Sequence, residues 1–92
     1  MEATARLFKA LAHPGRLQVL LLLAEEEPRS AGDLARATGL EQTALSHQLS
    51  ELRKARLVEA QREGRQRLYR LADHHVAHIV KDALAHAGEE HD

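Results

Sequence analysis

Five of the seven histidines in this 92-residue chain lie between His74 and His91. In that stretch Asp73-x-His75, ten residues, then His86-x-x-Glu89 set imidazole and carboxylate groups at defined spacing. These are the donors zinc takes when no thiolate is at hand. The chain has no cysteine, so anything bound here is bound through nitrogen and oxygen. A tetrahedral N₂O₂ set of Asp73, His75, His86 and Glu89 suits Zn²⁺, with Co²⁺ as its usual stand-in. Zn, Co and Ni all accept these donors.

Helix geometry constrains how such a site could form. His75 and His86 fall within roughly 20° of azimuth but roughly 16 Å apart along the axis. One ion with ligand bonds of ~2.0–2.2 Å cannot join them within one chain. A two-fold-related, antiparallel pair of these helices can, because it sets His75 opposite His86 and Asp73 opposite Glu89. Each dimer then holds two equivalent sites, with Asp73 and His75 from one subunit and His86 and Glu89 from the other. The plain alternative is a helix that is simply rich in histidine, with Asp73 as its N-cap. His74, His78 and His91 read as solvent-facing, although His74/His78 and Asp82/His86 have the i, i+4 spacing of a second, weak site.

The elements that must carry this site belong to a single domain spanning residues 1–92, too small for two cores. Apolar residues make up 43% and charged residues 29% of the chain, and Phe8 and Tyr69 are its only aromatics. That is the composition of a globule with a thin core, which a subunit interface often completes. No apolar run approaches the ~20 residues of a membrane span. Met1-Glu2-Ala3-Thr4-Ala5-Arg6 lacks the basic and apolar regions of a secretory signal, which points to the cytoplasm.

Leu7, Phe8 and Leu11 have helical spacing, and Pro14 fits the first turn of a second helix that runs to about Glu25. His13 leads into that helix. Apolar on most sides, the helix is central or lies at a dimer interface. Ser30-Ala31-Gly32-Asp33 resembles a capping box opening a short helix to Ala37. Thr38-Gly39-Leu40 breaks it. A longer helix from Gln42 to Ala55 buries Leu45, Leu49 and Leu52 and presents Gln42, Thr43, Ser46, His47, Ser50 and Arg53 on its other face. Leu57–Arg62 and Gln66–Leu71 alternate around Glu63-Gly64-Arg65, the pattern of a hairpin. The helical pattern returns from Asp73, with fraying expected from Gly88 onward.

Short helix, glycine turn, helix and basic hairpin make a winged helix-turn-helix, mainly α with a β-hairpin wing. Charge follows the same division. Between Arg53 and Arg70 there are seven basic residues against Glu59 and Glu63, in a chain of net charge −1. A cationic segment in an otherwise acidic chain suits a polyanion, and the plain alternative is a solvated hairpin face. Gln42, Thr43, Ser46 and His47 can reach phosphates or base edges in the major groove. Arg62, Arg65 and Arg67 can meet phosphates or the minor groove. His47 could equally hold the helix against its neighbour.

Ala44-Leu45-Ser46-His47-Gln48-Leu49-Ser50-Glu51-Leu52-Arg53, then Arg56-Leu57-Val58, Arg62-Glu63-Gly64-Arg65 and Tyr69, resembles the ArsR/SmtB family of bacterial metal-sensing repressors, from about Leu7 to Glu89. The resemblance implies a homodimer, with N- and C-terminal helices for dimerisation, that sits on an inverted-repeat operator and leaves it when metal binds. It implies that Gln42, Thr43, Ser46 and His47 read the operator. Family thiolate sensors sit where this chain has Ser30-Ala31-Gly32-Asp33-Leu34, which cannot hold a soft metal. The Asp-x-His…His-x-x-Glu pattern is similar to the zinc-sensing branch, whose site is on the C-terminal helix. Family precedent also suggests that the free nitrogen of His86 donates to a carbonyl near Arg56.

Three functions compete on these grounds. The leading one is a zinc-responsive dimeric repressor of operator DNA. The second is a winged-helix regulator not controlled by metal. The third, a small zinc hydrolase, is opposed by a site whose four protein ligands leave no position for a reactive water, and by a domain too small to imply a substrate-sized pocket.

Overall fold

The computed structural model describes residues 1–88. Helix α1 (Glu2–Leu11) is followed at once by α2 (Pro14–Glu25), where the His13 imidazole caps the helix by accepting the Gly15 N–H through Nδ1 at 3.1 Å. Pro14 at the first turn costs no hydrogen bond. Val19, Leu20 and Leu23 of α2 are buried, and the helix packs against α1, α3, α4, α5 and the sheet, so it is the central one.

Ser30 caps α3 (Ala31–Thr38) by accepting the Asp33 N–H at 3.0 Å. The reciprocal half of the capping box is absent. Asp33 pairs instead with Arg29 at 3.2 Å and Arg36 at 3.8 Å. Gly39 ends α3 with φ 74°, a left-handed conformation that glycine adopts without strain. Helix α4 (Gln42–Lys54) buries Leu45, Leu49 and Leu52 at 2% exposure or less.

Strands β2 (Val58–Glu63) and β3 (Gln66–Leu71) pair from Val58↔Leu71 to Glu63↔Gln66, leaving Gly64-Arg65 as a two-residue turn with φ 62° at the glycine. Leu57 stands just before the hairpin, not in it. Its N–H returns to the Leu52 carbonyl at 2.9 Å, closing the end of α4. One strand was not anticipated: β1 (Arg29–Ser30) pairs antiparallel with β3 through Arg29↔Tyr69 and Ser30↔Leu68, giving a sheet of order β1-β3-β2. Two residues are too few for alternation to show. Among the described residues, no single helix is long and apolar enough to cross a membrane.

Helix α5 (His74–Gly88) lies against α2 and β3. Gly88 is still helical, where fraying was expected. Val76 and Val80 are buried, but every residue from Lys81 to Gly88 is exposed. Phe8 on α1 and Leu84 on α5 stand 56% and 58% exposed, so two apolar side chains are left outside a core that contains one aromatic, Tyr69.

Candidate functional site

The face of α4 opposite its leucine stripe carries Gln42, Thr43, Ser46 and His47, all exposed, with Ser50 and Arg53 beside them. Glu41 caps this helix, accepting the Ala44 N–H at 3.1 Å. Hydrogen bonds from the backbone N–H groups of Thr43 and then Ala44 hold the Glu41 carboxyl below the usual carboxylate range. Glutamate is not a favoured N-cap, so sequence alone gave little sign of this role.

His47 does not brace the helix, because it is exposed and makes no side-chain hydrogen bond among the described residues. The brace is its neighbour Gln48, which sequence reasoning missed. Its Oε1 accepts from Arg16 Nε at 2.7 Å, and its Nε2 lies 3.3 Å from His13 Nε2. Arg16 also donates to the Ala10 carbonyl at 3.2 Å. The start of α2 and the end of α1 are thereby tied to the middle of the recognition helix. A polar residue on the flank between the buried and exposed faces was the available clue.

In the wing, Arg62 and Arg67 are direct cross-strand partners, Arg65 occupies the turn, and all three are exposed. Side chains alternate along a strand, so Arg62 and Arg67 lie on the hairpin face that holds Ala60 and Tyr69 nearer the body. Like charges placed directly opposite one another destabilise a hairpin. The exposed α4 face and this cationic tip together can grip a duplex through its grooves and phosphates.

On α5, Asp73, His75 and His86 are exposed. Asp73 serves as the helix cap, its Oδ1 accepting the Val76 N–H at 3.2 Å, and its second oxygen has no such commitment. The His74 ring lies 4.1 Å from that of His75 and 5.6 Å, edge-on, from that of His78. Glu89 and His91 lie outside the described residues. Among the described residues, no three His, Asp or Glu side chains converge within one chain. The His86 imidazole also makes no hydrogen bond among them, to a carbonyl near Arg56 or elsewhere.

Such an arrangement of helix, turn, recognition helix and hairpin defines a winged helix-turn-helix DNA-binding domain. It superposes with a TM-score of 0.87 and 40% identity on a homodimeric winged helix-turn-helix DNA-binding domain from Mycobacterium bovis described as a possible ArsR-family transcriptional regulator, over 99% of this chain and 83% of that one. Residues 13–60 match the arsR family of bacterial regulatory proteins, and the chain belongs to that family. It is a family of transcription regulators, not of enzymes.

Two further likenesses bear on the signal. The chain is 46% identical over 90 residues to the HTH-type transcriptional repressor SmtB of Mycobacterium tuberculosis, across 98% of this chain and 66% of that protein. It therefore spans just under two thirds of that relative's length. It also resembles AntR, an antimony-specific transcriptional repressor, at 35% identity and a TM-score of 0.83, across 94% of this chain and 78% of that one.

Proposed function

We propose that the protein is a zinc-responsive transcriptional repressor of the cytoplasm that binds an inverted-repeat operator as a homodimer and leaves it when metal binds. The observation that carries this reading is the state of α5. Its distal half, Lys81 to Gly88, is exposed at every residue, while His75 and His86 share one stripe of the helix. A second copy laid antiparallel would cover this surface and bring the donors of two chains together.

The donor set fits zinc: two imidazoles and two carboxylates, with no cysteine thiolate in the chain. A thiophilic ion such as antimony has no ligand here. Asp73 and His75 of one subunit and His86 and Glu89 of the other would hold the ion, which would fix the relative orientation of the two α5 helices. Each chain's α5 lies on α2, and α2 lies on α4, so a change in the dimer reaches Gln42, Thr43, Ser46 and His47 through packed helices. Coupling requires that metal and DNA favour different dimer geometries, and ~1–3 kcal/mol is typical. Arg62, Arg65 and Arg67 would hold the flanking backbone.

The test is a zinc titration of the protein bound to a labelled duplex selected from a random library, followed by anisotropy. Release should saturate near two zinc ions per dimer and disappear in His75→Ala and His86→Gln. If His86→Gln released DNA with unchanged zinc affinity, the assigned site would be wrong. If wild-type protein bound zinc without releasing DNA, the reading would become a winged-helix regulator with another signal.

A further inference from the structure

The expectation of no substrate-sized cavity fails at one place. The chain turns through 92° between α1 and α2, so α1 swings away from the C-terminal flank of α4. An open basin of about 1070 Å³ remains between them. Arg6, Lys9, Arg16, Lys54 and Arg56 line it against a single carboxylate, Glu51. In a chain of net charge −1, this concentration of cations is not background.

Lys54 is paired with Glu51 at 3.4 Å, and Arg16 is engaged with Gln48 and the Ala10 carbonyl. Arg6, Lys9 and Arg56 have no carboxylate partner among the described residues. Arg56 is the telling residue. It sits at φ 61°, the one positive-φ position among the described residues not occupied by glycine, just past the end of α4, where glycine would be relaxed. What arginine adds there is a side chain, and that side chain borders the basin.

The basin is largely offset from the other surfaces. Two helical residues differ by about 200°, which puts Arg6 on the flank of α1 opposite Phe8. Glu51 and Ala55 belong to the flank of α4 that carries Gln48, while Lys54, one turn on from Ser50, stands where the basin borders the DNA-reading face.

We infer that this basin binds a small polyanion, a metabolite bearing two or more phosphate or carboxylate charges. Guanidinium forks match both oxyanions bidentately, and the volume is of the size that small ligands occupy. The occupant would sit against Arg16, which ties α1 to the recognition helix, so its binding would bear on DNA affinity independently of the metal.

The probe is pyrophosphate, titrated into the protein in metal-free buffer by calorimetry and thermal unfolding. Wild-type protein should bind it saturably and melt at a higher temperature. Arg56→Gly should weaken binding about tenfold or more, as expected for the loss of hydrogen bonds to a charged group, while melting no lower than wild type without ligand. Arg36→Ala, which removes an exposed cation elsewhere, should bind normally. No binding to wild type, or equal binding by Arg56→Gly, would overturn the inference. So would an Arg56→Gly variant that lost duplex affinity while pyrophosphate bound neither protein, since the basin would then be a DNA-phosphate contact.

Discussion

Arg16 Nε donates to Oε1 of Gln48 at 2.7 Å across 32 residues of sequence, and the same guanidinium reaches the Ala10 carbonyl. One side chain thus sets the position of the recognition helix relative to two others. Arg16→Ala leaves both acceptors in a part-buried place without their donor, a loss of roughly 1–3 kcal/mol. Operator affinity should fall with it. Arg16→Lys keeps the charge but not the planar fork, so it should rescue little. Full duplex affinity in Arg16→Ala, measured by anisotropy, would remove this brace from the mechanism.

Arg56→Gly should make the isolated protein more stable. A non-glycine residue in the left-handed region costs about 1–2 kcal/mol, and glycine's greater freedom in the unfolded chain takes back a part. A net gain of about 1 kcal/mol would raise Tm by roughly 4–8 °C in a domain of this size. Scanning calorimetry decides it, and a lower Tm would mean that the arginine side chain contributes more to folding than its backbone costs.

The wing predicts effects of opposite sign from one substitution. Arg67→Thr relieves the Arg62–Arg67 opposition across the hairpin and should stabilise the fold by about 0.2–1 kcal/mol. It should also weaken DNA binding at all sequences alike and reduce the salt slope by ~0.9 if a single phosphate contact is lost. Denaturant melts and affinities at several salt concentrations measure both. An unchanged salt slope would take Arg67 off the interface.

Glu41 gives the recognition helix a dependence on acid. Its folded carboxyl titrates below the ordinary glutamate range, held there by the Thr43 and Ala44 N–H groups. A depressed value means that the cap contributes fully above the unfolded pKa and is lost as pH falls through the folded one. The amide shifts of Thr43 and Ala44 should therefore move with a midpoint below that of an ordinary glutamate, and Glu41→Gln should abolish that titration. A midpoint at or above that value would contradict the cap.

Local signals in the sequence were enough to place most of the scaffold. Pro14, the Ser30 cap, Gly39, the Leu45–Leu49–Leu52 stripe and the glycine in the wing each act within a few residues, so their consequences can be read from spacing. Long-range pairings could not be read that way. Gln48 meets His13 and Arg16 across 35 and 32 residues, and Leu71 donates its N–H to Glu27 across 44. Strand β1 exists because β3 offers it an edge, and nothing in Arg29-Ser30 itself demands extension. The candidate sites divide in the same way. The exposed positions on α4 and the wing followed from periodicity, whereas the cation-lined basin needed the angle between α1 and α2, which no pattern in the sequence states.

The exposure of Lys81 to Gly88 has a consequence for how much of the protein exists at a given concentration. These eight residues prolong a helix anchored through Val76 and Val80 but bury no side chain of their own, so packing adds little to the marginal stability that a helix has in water. The order of that segment therefore depends on whatever covers it from outside. Diluted to single copies, the chain keeps its DNA-reading face, which its own core supports, but its His86 rides on a stretch that no buried side chain of its own secures. Assembly and the ability to sense would then rise and fall together, and the amount of protein in the cell becomes part of the response.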